Sequence, residues 1–593
     1  MYMSVPMGKG PMGAPVEKPR DTKKVLRRLF VYVKELKWMF LAAIILTISA
    51  NMLQLLGPAL TGQIIDAIKG AQYERIPRII ILMIIFYVIS SVFLYMLQIL
   101  MIHVSQKIVK KMRQQLFDKF MDLPVNYFDS HQIGDMISRI SYDIDTINTS
   151  LSSDLVQLFG SLITVLGALL MMILISPILL MVFVITIPAS IYTTRYLAKK
   201  TRPLFRKRSA KLGDMNGFVE ETLSGLKTIK AYSQEETMFD EFKAKNREAS
   251  EAYYQADYYG GITGPSIGFI NNISLALISM FGSLLFLYQL ISIGNISSFI
   301  LYSRRFSGPI SEAANMVAEL QSTLAASERV FRVLDEPIEQ EVETPMEITG
   351  STRGEIEFKD VHFSYIKDVK VIENLNLHVQ PGQLVAIVGP TGAGKTTMIN
   401  LLMRFYDVDQ GQILLDGVDI ANYTRSDVRK QFGMVLQDTW LFHGTIFENI
   451  AYGHPEATLE DVIEIAREVK IHHFITGLKD GYHTILSDDG VNISKGQKQL
   501  MTIARAMLQQ RPMIILDEAT SNVDTRTESM IQSAMRKLMQ DKTCFVIAHR
   551  LSTIVNADVI LVVDRGKVVE SGTHDQLMSS KGYYYQLYMA QFD

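Results

Sequence analysis

The stretch Leu384-Val-Ala-Ile-Val-Gly-Pro-Thr-Gly-Ala-Gly-Lys-Thr396 decides the fold of the second half of the chain. Its five leading apolar residues predict a strand, and a helical pattern follows over 397–405. Between them lies G-x-x-x-x-G-K-T, whose glycines let backbone N–H groups surround phosphates at a helix N-terminus. The sequence therefore predicts the P-loop of an ATPase, with nucleotide contacts from Gly389, Thr391, Gly392, Ala393, Gly394, Lys395, Thr396 and Thr397.

Two side chains of this loop have predicted chemical roles. Lys395 is expected to reach the β- and γ-phosphates of ATP, and the Thr396 hydroxyl is expected to ligate Mg²⁺. The strand before the loop and the helix after it are the context that the motif requires. This context separates the match from a chance occurrence of the same letters.

Polar residues at the ends of two further strands complete the predicted catalytic machinery. The strand 513–516 leads into Asp517 and Glu518, and the strand 543–548 leads into His549. We expect Asp517 to hold the Mg²⁺ shell and Glu518 to orient or deprotonate the attacking water, because a strand end fixes carboxylates near the metal. His549 is the predicted partner of the γ-phosphate and of that water.

The composition divides the 593 residues into two unlike parts. Long charge-free runs occur up to about Ser303, whereas from about Ile338 onward charges recur every few residues. The net charge of −2 gives no global argument for nucleic acid as a partner. Cys544 is the only cysteine, which excludes an internal disulfide, and its apolar setting predicts a packed, unreactive thiol.

The first part contains apolar stretches long enough to cross a membrane, which takes about 20 residues per helix. The stretches 38–60 and 79–102 each supply one predicted span. The longer stretches 155–194 and 258–303 each supply a hairpin of two spans, so the predicted total is six. The hairpin breaks are predicted near Ser176 and Pro177 and at Gly294 and Asn295.

Arg304 and Arg305 fall in the last span, where they either line a polar substrate path or pair with another helix or subunit.

The flanking charges predict the orientation. Lys and Arg cluster in the amino-terminal segment and in 107–113 and 195–211, which places both termini and the second half in the cytosol. Residues 1–20 are predicted to be a disordered tail, and 21–37 an amphipathic helix on the inner membrane surface. The long inner connections 103–154 and 195–257 read as cytosolic helix extensions, with solvated surface loops as the alternative.

The chain resembles bacterial multidrug ABC exporters over nearly its whole length after the tail. The residues that carry the resemblance in the second half are Tyr365, Gly389 to Thr396, Gln437, Ser494 to Gln497, Leu516 to Thr520, Asp524 and His549, and in the first half 124–139, 220–235 and 302–309. It implies a six-span α-helical membrane domain with long cytosolic extensions, followed by an α/β P-loop nucleotide-binding domain. The expected bounds are 38–325 for the membrane domain, 326–350 for a linker and 351–593 for the ATPase domain.

The resemblance also implies roles for residues outside the P-loop. Tyr365 is expected to stack on adenine, and Gln437 to join the Mg²⁺ site to the membrane helices. Asp524 is counted among the nucleotide-binding residues. The signature residues Ser494, Gly496 and Gln497 are expected to contact ATP that is bound to the opposite subunit, so that two ATP molecules lie between two such domains.

The signature loop and the segment just before it depart from the family pattern. Lys495 stands where the signature has glycine, and Asp488 stands where a glutamate is usual. Because Lys395, Asp517, Glu518 and His549 are all present, we expect this chain to be the hydrolysis-competent half of a heterodimer. Its expected partner is a second half-transporter with a normal signature and a degenerate catalytic carboxylate, and a homodimer is the alternative.

The expected function is ATP-driven export of amphipathic drug-like compounds across the cytoplasmic membrane. A lipid flippase is the main alternative. Six spans in the same chain argue against a soluble ABC-type ATPase acting on DNA or in translation. An importer is disfavoured because the order of membrane domain and then ATPase domain resembles that of exporters.

Overall fold

The computed structural model describes residues 21–348, 352–366, 369–437, 439–486, 493–517, 524–548 and 551–592. The chain divides into two compact units. One comprises the chain up to Leu123 together with Phe128–Ile338, and the other comprises Pro124–Tyr127 and the chain from Glu339 onward. The predicted tail 1–20 and the residues Asp488, Glu518 and His549 lie outside the described residues.

Helices make up almost all of the described chain up to Asp335. Three of them, Ile76–Asp122, Met181–Ser224 and Ile293–Asp335, have 47, 44 and 43 residues. At 1.5 Å per residue such helices are roughly 65–70 Å long, about twice the thickness of the membrane interior, so they extend well beyond it as predicted. The bounds are α1 Thr22–Glu35, α2 Lys37–Lys69, α3 Ile76–Asp122, α4 Val125–Ser130, α5 Ile133–Ser138, α6 Ile144–Thr149, α7 Leu155–Ile175, α8 Met181–Ser224, α9 Leu226–Ala231, α10 Glu235–Gly261, α11 Thr263–Leu287 and α12 Ile293–Asp335.

Five helical stretches among the described residues are long and apolar enough to cross a membrane. They are Lys37–Lys69, Tyr73–Asp122, Ile133–Ile175, Met181–Ser224 and Glu235–Leu287. The sixth predicted span falls on α12, which does not meet the same criterion. Its apolar stretch is interrupted by Arg304 and Arg305.

The turn between α11 and α12 differs from the sequence prediction. The break near Ser176 and Pro177 is confirmed, but the second break lies at 288–292, and Gly294 and Asn295 belong to the first turn of α12. The reason is capping. The Ser292 hydroxyl accepts a hydrogen bond from the Asn295 N–H at 3.0 Å, and the Asp66 carboxylate accepts one from the Gly294 N–H at 2.8 Å.

The second unit contains a mixed sheet that carries the P-loop. Its strand order is β12-β11-β3-β10-β9-β6, with parallel pairs throughout except between β11 and β12. A four-stranded antiparallel sheet has the order β2-β1-β4-β5, and β7 pairs with β8. The strands are β1 Ile356–Phe363, β2 Ile372–Val379, β3 Leu384–Val388, β4 Gln410–Leu415, β5 Val418–Asp419, β6 Phe432–Val435, β7 Gly444–Thr445, β8 Ile485–Leu486, β9 Met513–Asp517, β10 Thr543–Ile547, β11 Val559–Asp564 and β12 Lys567–Gly572.

Helices pack around this sheet. Because parallel strands bury both faces, β3, β9 and β10 read as continuous apolar runs, and almost every residue in them is buried. The carboxyl ends of β3, β10, β9 and β6 therefore meet at one edge of the sheet. The helices are α13 Lys395–Leu402, α14 Arg425–Arg429, α15 Ile446–Ala451, α16 Leu459–Glu468, α17 His472–Thr476, α18 Lys495–Leu508, α19 Thr525–Met539, α20 Leu551–Val555, α21 His574–Ser580 and α22 Tyr583–Phe592.

The single cysteine lies inside this core. Cys544 is in β10 and is 1% exposed. Burial raises the pKa of its thiol to about 12, so the reactive thiolate is scarce at neutral pH. The predicted packed, unreactive thiol is confirmed.

Candidate functional site

The P-loop connects the end of β3 to the start of α13. Gly389 and Gly394 have φ of +152° and +105°, conformations that L side chains rarely adopt. A Cβ on Gly389 would lie 2.1 Å from the Val563 carbonyl oxygen, so the chain can pass β11 at this point only as glycine. The loop therefore directs its backbone toward the N-terminus of α13, where N–H groups have no partner within the helix.

Lys395 is the first residue of α13, and its ammonium group lies over the loop. Its Nζ donates hydrogen bonds to the carbonyl oxygens of Gly389 at 2.8 Å and Pro390 at 3.0 Å. Burial lowers the pKa of Lys395, and the charge of Asp517 opposes that shift. The charge of Asp517, at the end of β9, therefore acts on the ammonium group of the P-loop lysine.

Of the other P-loop side chains, some are buried in the domain and others are exposed to solvent. Ala393 and Thr397 are 3% and 6% exposed and pack into the domain, whereas Thr391 and Thr396 are exposed. The Thr396 hydroxyl is thus accessible at the same sheet edge as Asp517, the last residue of β9. Glu518 directly follows Asp517 in the chain, and His549 follows Ala548, but both lie outside the described residues, so their predicted roles stay predictions.

Gln437 also belongs to this edge by its place in the chain. It follows the end of β6 by two residues and is exposed. β6 pairs with β9, with Val435 opposite Leu516. The pairing therefore places Gln437 just beyond the strand next to the one that ends in Asp517; their joint binding of Mg²⁺ with Thr396 stays a prediction.

Tyr365 presents a supported aromatic ring. It meets the rings of Phe363 and Tyr406 edge-on, at centroid distances of 4.8 and 4.9 Å. Its Oη donates to the Thr397 hydroxyl at 3.2 Å and accepts from the Asn400 amide at 3.2 Å. These contacts tie the ring to α13, and the side chain stays exposed enough to stack on a flat ligand.

The signature residues form the N-terminus of α18. The Ser494 hydroxyl accepts from the Gln497 N–H at 3.3 Å, and the Gln497 side chain accepts from the Ser494 N–H at 2.9 Å, which together make a capping box. Gly496 is buried, and Lys495 is exposed at the first helical position. The helix accommodates lysine in place of the usual glycine, and this cation adds to the positive end of the helix dipole.

Asp524 caps a different helix. Its carboxylate accepts a hydrogen bond from the Thr527 N–H at 2.9 Å, at the N-terminus of α19. This bond lowers the pKa of Asp524 below its ordinary value. The described contacts of Asp524 are therefore structural, and its contact with nucleotide stays a prediction.

Comparison with known proteins identifies the family. Residues 40–310 match the family model described as the ABC transporter transmembrane region, and 372–521 match the one described as ABC transporter. The chain is 40% identical over 593 residues to the uncharacterized ABC transporter ATP-binding protein YfiC of Bacillus subtilis (strain 168), covering 100% of this chain and 98% of the relative. The chain belongs to the ABC transporter family.

Two further comparisons bear on this ABC transporter. It is 43% identical over 519 residues to the fatty acid ABC transporter ATP-binding/permease protein of Mycobacterium bovis, covering 88% of this chain and 82% of the relative. Its fold is similar to a structure titled a bacterial Atm1-family ABC exporter with ATP bound, with a TM-score of 0.75 and 27% identity over 94% of this chain and 99% of that one. The protein is thus an ATPase coupled to export across the cell membrane, with its ABC domain in the cytosol.

The sequence did not predict which residues contact Tyr365, the candidate for stacking on adenine. Phe363, Tyr406 and Asn400 all contact Tyr365. Phe363 and Tyr365 are two residues apart, and the period of a strand places such residues on one face. Tyr406 gave no local signal, because its contact with Tyr365 joins residues 41 positions apart across the fold.

A pair of substitutions tests the role of Tyr365. We expect Tyr365→Ala to weaken ATP binding by roughly 5- to 150-fold, since stacking of a base on an aromatic ring contributes about 1–3 kcal/mol. Tyr365→Phe keeps the ring and loses only the two hydroxyl contacts, so its affinity should stay within about threefold of wild type. Equilibrium binding of a fluorescent ATP analogue checks both. Equal affinities for the Ala and Phe variants would contradict stacking.

Proposed function

We propose that this ABC transporter exports amphipathic compounds with a long apolar chain and a polar head, such as fatty acids and related lipids. The observation that carries the proposal is the 43% identity to a relative that is named a fatty acid transporter. Drug-like amphipathic compounds are the second candidate. They are favoured by the segments 124–139, 220–235 and 302–309, which resemble multidrug exporters.

We further propose that ATP is bound together with Mg²⁺. The Thr396 hydroxyl, the Asp517 carboxylate and the Gln437 amide offer oxygen ligands at one sheet edge, which suits a cation that takes few protein carboxylates. When bound, Mg²⁺ would neutralise charge on the β- and γ-phosphates. Lys395 would then exchange its two loop carbonyls for phosphate oxygens, and Glu518 and His549 would position the attacking water.

The proposed assembly is a heterodimer in which this chain supplies the hydrolytic residues. Its own Lys395 and Asp517 are held at the sheet edge, whereas the altered signature residue Lys495 would face ATP bound to the partner. The heterodimer would then have one site that hydrolyses ATP strongly and one that hydrolyses it weakly. A homodimer is the alternative, because an exposed lysine beside a phosphate is electrostatically tolerated.

The substrate class is tested by transport into sealed proteoliposomes. The purified transporter is reconstituted with outward-facing ATPase domains and given ATP, with either a labelled alkyl sulfonate, which stays charged, or a cationic drug-like dye. We expect ATP-dependent accumulation of the alkyl sulfonate that exceeds that of the dye. Accumulation of the dye alone would support the drug-like candidate and contradict the proposed substrate class.

The assembly is tested by comparing ATP hydrolysis of the chain purified alone and with a co-purified partner. We expect substrate to stimulate ATP hydrolysis only in the pair. If the chain alone hydrolyses ATP with the same stimulation, the heterodimer proposal is wrong and the homodimer replaces it.

A further inference from the structure

Two adjacent arginines lie in the middle of α12. Arg304 is eleven residues after the start of the helix at Ile293. At 1.5 Å per residue this is about 17 Å, roughly half of the 30 Å membrane interior. Because the cytosolic ABC domain follows α12 in the chain, this distance is measured from the outer surface, and the arginines lie near the membrane centre.

The opposite side of α12 is fixed to the same membrane unit. Phe299, Tyr302 and Phe306 are at most 6% exposed. The Tyr302 hydroxyl donates to the Leu55 carbonyl oxygen of α2 at 2.5 Å, and the Phe306 ring meets Phe183 of α8 at a centroid distance of 5.3 Å. These contacts fix the rotation of α12 about its own axis.

This rotation turns Arg304 away from the helices of its own unit. Arg304 is two residues after Tyr302, about 200° around the helix, and it is exposed. Arg305 is half-buried beside the packed side. Neither arginine makes a hydrogen bond or an ion pair to any residue whose side chain the structure describes, a set that leaves out 310–315.

A cation at this depth has to face water, a partner or a ligand. A charge directed at lipid near the membrane centre is costly, so charged residues in spans face the bundle interior or a wet cavity. Gly308 is one turn beyond Arg304 on the same side, and a Cβ there would meet nothing within 4 Å. The side of α12 that carries Arg304 therefore borders open space within its own chain.

We propose that Arg304, assisted by Arg305, binds the anionic head of the transported amphipath, so that the transporter selects anionic over uncharged substrates of equal chain length. The inference rests on the proposed function and names its substrate class. A guanidinium group suits this task because it stays charged and binds carboxylate or phosphate through two parallel hydrogen bonds. The apolar chain would lie against the apolar residues of the spans.

The test uses the reconstituted transporter with its partner and three labelled probes of equal chain length: an alkyl sulfonate, an alkyl phosphate and an uncharged alkyl glycoside. We expect Arg304→Gln to raise the half-saturating concentration of both anions at least about tenfold, the effect of losing one charge-assisted hydrogen bond. The half-saturating concentration of the glycoside should stay unchanged. Arg304→Lys should recover part of the loss, and a larger effect on the phosphate would identify a phospholipid-like head.

The matched control is Arg78→Gln, the same exchange at an exposed position near the outer end of α3. This control should leave the half-saturating concentrations of all three probes unchanged. An equal loss for the anions and the glycoside, which an ion pair of Arg304 with the partner subunit would give, overturns the proposal, as does no loss at all. A wild-type protein that transports none of the probes contradicts the proposed function itself, and the inference with it.

Discussion

Glu518→Gln is expected to reduce ATP turnover at least about hundredfold, while ATP binding stays near wild type. Glutamine has nearly the same shape, so the nucleotide site keeps its geometry, but it cannot accept the proton of the attacking water. A positioned general base contributes about 10²–10⁴-fold to a rate. In the proposed heterodimer this loss removes the only strong hydrolytic site. The measurement is steady-state ATP hydrolysis together with retention of labelled ATP.

Glu460→Gln is the matched control for this experiment. It makes the same exchange at an exposed position in the first turn of α16, within the same domain. It should leave turnover unchanged. If Glu518→Gln kept turnover near wild type, the partner would have to supply an independent active site, and the proposed division of labour would be wrong.

Lys395→Ala is expected to weaken ATP binding at least about tenfold and to abolish measurable turnover. The Nζ of Lys395 already lies within hydrogen-bonding distance of two P-loop carbonyls, at 2.8 and 3.0 Å, so it is held where the phosphates would bind. Each charge-assisted hydrogen bond that is lost costs about 1.5–3 kcal/mol, or roughly 10- to 150-fold in affinity. ATP titration by calorimetry checks the expectation.

Lys479→Ala provides the comparison for the lysine. Lys479 is exposed and lies away from the P-loop in the chain, so its loss should not change ATP affinity. An unchanged affinity in Lys395→Ala would mean that the phosphates bind elsewhere. The placement of the nucleotide at the edge of β3, β9 and β10 would then be contradicted.

Local motifs made the nucleotide-binding unit predictable. The glycines of the P-loop, the strand before it and the carboxylate of Asp517 are all predicted from short stretches, and the parallel pairing of β3, β10 and β9 brings the ends of these strands to one edge. The capping box of Ser494 and Gln497 is also a local pattern. These features depend on residues a few positions apart, which is the range that sequence patterns describe well.

Long-range contacts account for what the sequence did not reveal. The turn before α12 was placed wrongly because Asp66, 228 residues before Gly294, caps that helix. The support of Tyr365 by Tyr406 likewise needs the folded domain. The direction of Arg304 was open in the sequence, because it depends on which side of α12 packs against α2 and α8.

ATP-driven export by the site of this chain is the central claim, and the most direct measurement is alkyl sulfonate accumulation in proteoliposomes that contain wild-type or Glu518→Gln protein with the same partner. The account predicts accumulation that requires ATP and Mg²⁺ in the wild type and stops in the variant. Accumulation at the wild-type rate in Glu518→Gln, or without ATP, would contradict it.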